Sequence, residues 1–76
     1  MVVGSLLLSL RLPGAETLKD KRRVVKGLVE KLRLRFGVSA AEVDDLGLAG
    51  NATIGLAIVS GNRVEVEERL AKALEF

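Results

Sequence analysis

The first twelve residues constrain the fold most. In the later part of this segment, apolar side chains occupy every second position as far as Leu12. A period of two is that of a β-strand with one buried face and one solvated face. The apolar run from Val2 to Leu10 is far shorter than the ~20 residues that cross a bilayer, and no basic residue precedes it as in a secretory signal. We therefore interpret the segment as a strand of a soluble, cytoplasmic protein.

A helix is predicted to follow this strand. Thr17 and Asp20 have the spacing of a capping box, and apolar residues then continue at helical spacing as far as Phe36. Gly37 is the residue type that most often ends a helix. The sequence therefore predicts a helix that begins after Thr17 and ends at Gly37.

The rest of the chain predicts two strands and a second helix. The strands cover residues 38–45 and 52–60 and form a hairpin, and Asn62 caps the helix. The order strand, helix, strand, strand, helix is that of a ferredoxin-like plait, which a fourth strand normally completes. We predict a single α+β domain over residues 1–76, with an antiparallel sheet in the order 1-3-2 and the final strand absent.

In this sheet order the first strand is an exposed apolar edge. Soluble proteins usually cover such an edge or pair it with another strand. We expect that a second copy of the chain, or residues beyond Phe76, supplies the missing neighbour. A homodimer formed through the edge of the first strand is the predicted partner arrangement.

Composition argues against catalysis. The chain has no cysteine and no histidine, so thiolate metal sites, a cysteine nucleophile and the usual general base near neutral pH are excluded. Glu42, Asp44 and Asp45 lie at strand spacing without a regular ligand loop, and we interpret them as charges that guard an edge strand. No enzyme activity, cofactor, metal, membrane contact or small-molecule substrate is predicted.

Charge is divided unequally along the chain. Residues 11–35 carry nine Lys or Arg and three acids, whereas residues 36–76 carry three Lys or Arg and seven acids. The basic segment suggests a phosphate-rich or acidic partner. The acidic segment could equally neutralise it, within one molecule or between copies.

Most of the basic residues fall on the first helix. At 3.6 residues per turn, one flank carries a row that runs for ~21 Å from Lys19 to Arg33. Lys21 falls instead on the apolar stripe, so its ammonium group is expected to extend past the sheet edge. Glu30 is expected to neutralise part of the row. The candidate RNA- or anion-binding residues are Lys19, Lys21, Arg22, Arg23, Lys26 and Arg33.

Three segments of the chain read LPGAETLKDKRRVV at 12–25, FGVSAAEVD at 36–44 and ATIGLAIVS at 52–60. These segments resemble the YlxP family of small bacterial proteins of unknown function. The resemblance implies a ferredoxin-like fold, although similar proteins usually continue to a final strand. It also implies contact with RNA or the ribosome, through Lys19, Lys21 and Arg22. Relatives commonly have Trp-Gln-Arg before the third strand, where this chain has Ala-Gly-Asn at 49–51.

Two functional hypotheses remain. The first is a binding module that engages structured RNA or a ribosomal surface through phosphate contacts from the basic helix. The second is a homodimeric structural or protein-interaction module that does not bind nucleic acid. The open face of the predicted sheet carries no aromatic residue, so the base-stacking platform of an RNA-recognition motif is absent.

Overall fold

Two helices cover one face of a three-stranded antiparallel sheet. The computed structural model describes all residues, 1–76, and has five elements: β1 (Val2–Arg11), α1 (Leu18–Phe36), β2 (Ser39–Asp44), β3 (Asn51–Ser60) and α2 (Arg63–Glu75). The sheet order is β1-β3-β2. The predicted α+β ferredoxin-like arrangement and strand order are therefore confirmed. Neither helix has the length and apolar character needed to cross a membrane.

The core lies between this sheet and the two helices. Every second residue of β3 points into it, as the alternation in sequence requires. β1 pairs with β3 along its whole length, from Val2 opposite Ser60 to Arg11 opposite Asn51. The buried apolar residues are Val25, Val29, Leu32, Val38, Ala40, Ala52, Ile54, Leu56, Ile58, Val66 and Ala73.

Local signals set both ends of α1 and the start of α2 as predicted. The Thr17 hydroxyl accepts a hydrogen bond from the Asp20 N–H, and the Asp20 carboxylate accepts one from the Thr17 N–H, which completes the capping box. Gly37 ends α1 in the left-handed region, with φ of 62°. The Asn62 side chain accepts from the Glu65 N–H at the start of α2. These contacts satisfy helix-end groups that would otherwise lack partners.

Gly4 lets α2 lie close to the sheet. A Cβ at this position would overlap Val66 Cγ1 and lie 2.9 Å from Leu70 Cδ1. Both neighbours belong to the face of α2 that packs against β1 and β3.

The sheet has two edges, and they differ. Along β2, Arg33 donates a hydrogen bond to the carbonyl oxygen of Ala40 at 2.7 Å, so a side chain of α1 covers part of this edge. β1 is the other edge, as predicted, and has a strand neighbour on one side only. Pairing of β1 with a second copy stays a prediction.

The packing at Gly4 predicts that Gly4→Ala lowers the free energy of unfolding by about 1–3 kcal/mol, because the added methyl group forces α2 away from the sheet. Gly14→Ala is the control, since no atom lies within 4 Å of a Cβ there. Urea unfolding of both variants measures the difference. Equal stability of the two would contradict the close approach.

The capping box predicts a contribution to acid stability. The backbone N–H of Glu16, then the hydroxyl and N–H of Thr17, hold the pKa of Asp20 below its ordinary value of 3.8. A lowered pKa in the folded state stabilises the protein above the unfolded pKa, and this contribution is lost as pH falls through the folded value. Asp20→Asn should therefore weaken the acid-dependent fall in melting temperature below about pH 4, measured by circular dichroism. An identical fall in both proteins would exclude this role.

Candidate nucleic-acid interface

One flank of α1 carries five cationic side chains, which we call the cationic flank. This flank is exposed because it lies beside, and not on, the face of α1 that packs on the sheet through apolar residues at helical spacing. All five side chains are exposed. The members of the flank are Lys19, Arg22, Arg23, Lys26 and Arg33.

None of these five cations has an acidic partner within 4.0 Å. The ion pairs within 4.0 Å are Lys21–Glu42, Arg63–Glu67 and Arg69–Glu65, and none includes the flank. Glu30, which was expected to neutralise part of the row, forms no ion pair within 4.0 Å with Lys26 or Arg33. Arg33 differs from the other four, since it donates to the backbone of β2.

A shallow groove runs between the cationic flank and β2. Arg22, Lys26 and Arg33 line it from the helix, together with Glu30, and Ala41 and Glu42 line it from the strand. Glu42 is already paired with another residue, so it does not neutralise the groove cations. The groove is therefore an exposed channel with an excess of positive charge.

Lys21 does not belong to the flank, and the expectation that its head extends past the sheet edge is wrong. Its side chain is 1% exposed. The ammonium nitrogen lies 2.7 Å from Glu42 Oε2 and also donates to the carbonyl oxygen of Asp45. A buried ammonium group requires such compensation, and once compensated it is not available to a ligand on the surface. The resemblance-based assignment of Lys21 to RNA binding therefore does not fit its position.

The loop after β2 holds the carbonyl oxygen of Asp45 beside the Lys21 ammonium group. The strand pairing shifts register between Glu42 and Asp44, as in a β-bulge, and Asp45 then adopts a positive φ of 59°. The Asp45 carboxylate accepts a hydrogen bond from the Thr53 hydroxyl at 2.9 Å. This bond ties the loop to β3, and the bulge turns the backbone toward Lys21.

The ion pair with Lys21 compensates the burial of the Glu42 carboxylate. Its Oε2 atom is buried and receives no aligned hydrogen bond, so the nearby ammonium group of Lys21 supplies its compensation. Sequence reasoning treated Glu42 as an edge charge and did not pair it with Lys21. The signal was present, because Lys21 falls on the apolar stripe of the helix and Glu42 alternates onto the same face as Ala40. Two opposite charges on facing buried surfaces are expected to meet.

The acidic residues do not form a metal site. No group of three acidic side chains converges closely enough to hold an ion. Asp44 accepts a hydrogen bond from the Asp45 N–H at 2.8 Å, and Asp45 accepts from Thr53. These carboxylates shape the loop rather than a ligand sphere.

The ion pair predicts a non-additive double mutant. Lys21→Met leaves the Glu42 carboxylate beside an apolar wall and should lower the free energy of unfolding by about 3 kcal/mol. Adding Glu42→Leu should recover most of this loss, because apolar side chains of similar volume can replace a buried pair. Urea unfolding measures both, with Lys26→Met as an exposed control. A double mutant as unstable as Lys21→Met would show that the pair does not act as a unit.

Comparison with known proteins identifies the sequence family of this chain. A family model described as a protein of unknown function, DUF503, matches residues 3–76. YlxP, an uncharacterised protein of Bacillus subtilis (strain 168), is 34% identical to this chain over 62 residues, which are 82% of this chain and 67% of that protein. The resemblance predicted from the sequence is confirmed. Because the match spans nearly all of its length, the chain belongs to the DUF503 family of proteins of unknown function.

Proposed function

We propose that the protein is a binding module that engages structured RNA or a ribosomal surface through phosphate contacts from the cationic flank. The observation that carries this proposal is the distribution of ion pairs. A single ion pair, Lys21–Glu42, joins the basic segment to the acidic segment of the chain. The acidic segment therefore leaves the cationic flank without compensation, which argues against neutralisation within one molecule.

Two acidic residues of the acidic segment form ion pairs with arginines of the same segment. In α2, Arg63 pairs with Glu67 and Arg69 pairs with Glu65, each one turn away. Pairs of this kind weakly stabilise a helix and reduce its net field. α1 has the opposite arrangement, because none of the five cations of its flank has an acidic partner within 4.0 Å. The positive field of the molecule is therefore concentrated on one side of α1.

The start of α1 does not provide the anion site. Asp20 places its own carboxylate there and accepts hydrogen bonds from the N–H groups of Glu16 and Thr17. An incoming phosphate would meet this carboxylate at the helix end, whereas the side of the helix from Lys19 to Lys26 presents exposed cations. The proposed contact therefore runs along the side of α1, from Lys19 past Arg22 and Lys26.

Contacts of this type read the phosphate backbone rather than the bases. They supply affinity and orientation but little sequence discrimination. Arg33 stays partly committed to Ala40, so we assign it a secondary role at the end of the groove. The proposal is one of binding without catalysis, and it places the protein in the cytoplasm with its RNA partner.

The test is binding to ribosomal RNA and to purified ribosomal particles across a salt titration. Four phosphate contacts should weaken binding roughly 100-fold between about 50 mM and 200 mM salt. The triple variant Lys19→Ala, Arg22→Ala, Lys26→Ala should reduce the slope of log K against log salt by about 3. Fluorescence anisotropy with labelled RNA measures both quantities.

A charge-matched control separates the flank from net charge. Arg11→Ala, Lys31→Ala, Lys72→Ala also removes three exposed cations, but from positions outside the flank. This control should keep most of the salt slope. No binding by the folded wild type at low salt, or equal loss in both triple variants, would contradict the proposal. Binding to ribosomal particles but not to RNA would favour an acidic protein surface as the partner.

A further inference from the structure

The groove beside the cationic flank contains one carboxylate that has no ion-pair partner, that of Glu30. Its side chain is exposed and lines the groove together with Arg22, Lys26 and Arg33. None of the ion pairs within 4.0 Å includes it. The other acid of the groove, Glu42, is already paired with a buried ammonium group. A ligand in the groove would therefore meet the Glu30 carboxylate unpaired.

The position of Glu30 opposes phosphate binding. α1 carries two acids, and the other one, Asp20, closes the capping box at the helix start. Glu30 lies one turn from Lys26 and three residues before Arg33, where an ion pair would stabilise the helix, yet it pairs with neither. A free carboxylate in this place repels a phosphate group. A ligand that enters the groove therefore has to offer this carboxylate something other than phosphate.

An RNA strand offers a hydroxyl group as well as phosphates. Each sugar is bonded to the phosphates on either side of it, so a strand whose phosphates contact Lys26 and Arg33 places sugar between these contacts. The two cations are ~10 Å apart along the helix axis, and Glu30 lies between them. The 2′-hydroxyl of RNA can donate a hydrogen bond to a carboxylate, and DNA lacks this group.

The wall of the groove also suits a sugar. Val25, Val29 and Ala41 line it and carry no polar side-chain atom. The carbon atoms of a sugar can pack on such a surface, whereas a phosphate loses water there without gaining a partner. The groove therefore combines cations for phosphates, an apolar wall and one unpaired hydrogen-bond acceptor.

We propose that Glu30 makes the groove selective for RNA over DNA, by accepting a hydrogen bond from a 2′-hydroxyl of the bound strand. RNA compensates the carboxylate with this bond, whereas DNA meets only its negative charge. Selectivity of this kind comes from a repulsive group that only the correct ligand satisfies. It rests on the RNA binding proposed above for the cationic flank, and it adds the residue that recognises the sugar.

Binding to three hairpins of one base sequence tests this role of Glu30. The hairpins are RNA, its 2′-O-methyl form and its 2′-deoxy form, and the 2′-O-methyl form keeps the phosphates but has no hydroxyl to donate. The wild type should bind RNA about 10-fold more tightly than either modified hairpin, as expected for one hydrogen bond to a charged group. Glu30→Ala should bind the RNA and 2′-O-methyl hairpins equally. Fluorescence anisotropy at fixed salt measures these affinities.

Two further variants separate a hydrogen bond from a general effect of charge. Glu30→Gln keeps a side-chain oxygen that accepts hydrogen bonds, so it should retain part of the preference for RNA. Glu68→Ala is the matched control, because it removes an exposed glutamate of α2 that forms no ion pair, and it should leave the preference unchanged. The salt slope for the RNA hairpin should be the same in all variants, because the phosphate contacts are kept.

The outcomes distinguish recognition of the sugar from RNA binding itself. Equal affinity of the wild type for the RNA and 2′-O-methyl hairpins, or an undiminished preference in Glu30→Ala, would overturn the role of Glu30 and leave the phosphate contacts intact. Binding of the 2′-deoxy hairpin as tightly as RNA would do the same. No binding of any hairpin by the folded wild type at low salt would contradict both.

Discussion

The ammonium group of Lys21 is buried, so it needs nearby acceptors to replace its contacts with water. This need determines how α1, β2 and the loop after β2 are arranged. A lone charge in the interior costs several kcal/mol, so a carboxylate and a carbonyl oxygen have to lie within reach. Glu42 and Asp45 supply them from β2 and from the loop that follows it. Because these contacts fix β2 against α1, they also fix the groove beside the cationic flank.

The two helices are attached to the sheet by different kinds of contact. α1 meets β2 partly through polar groups, namely the Lys21–Glu42 pair and the hydrogen bond from Arg33 to Ala40. α2 meets β1 and β3 through apolar contacts around Gly4, where the missing side chain lets the helix approach. Polar contacts depend on direction, so they specify the strand position, whereas apolar contacts mainly supply stability.

The fold could be predicted from the sequence because its signals are local. Alternation defined β1, and Thr17 with Asp20 and Gly37 defined the ends of α1. The surroundings of the charged residues could not be predicted in the same way, because they depend on contacts between distant segments. Helical spacing identified the cationic flank and the unusual position of Lys21, but the partner of Lys21 lies 21 residues away on a strand. Backbone bending at the bulge after Glu42 also has no clear signature in the sequence.

The backbone at Asp45 limits which residues relatives with this fold can carry there. Its positive φ favours glycine, asparagine or aspartate. Glycine adopts this φ without strain, but it lacks the side-chain oxygen that accepts the hydrogen bond from the Thr53 hydroxyl. Asparagine tolerates this φ and also carries such an oxygen. The residue type at this position should therefore depend on the residue at position 53 of β3, whose side chain bonds it. Where that residue has no hydroxyl donor, the advantage of an oxygen-bearing side chain disappears, and glycine becomes the better fit.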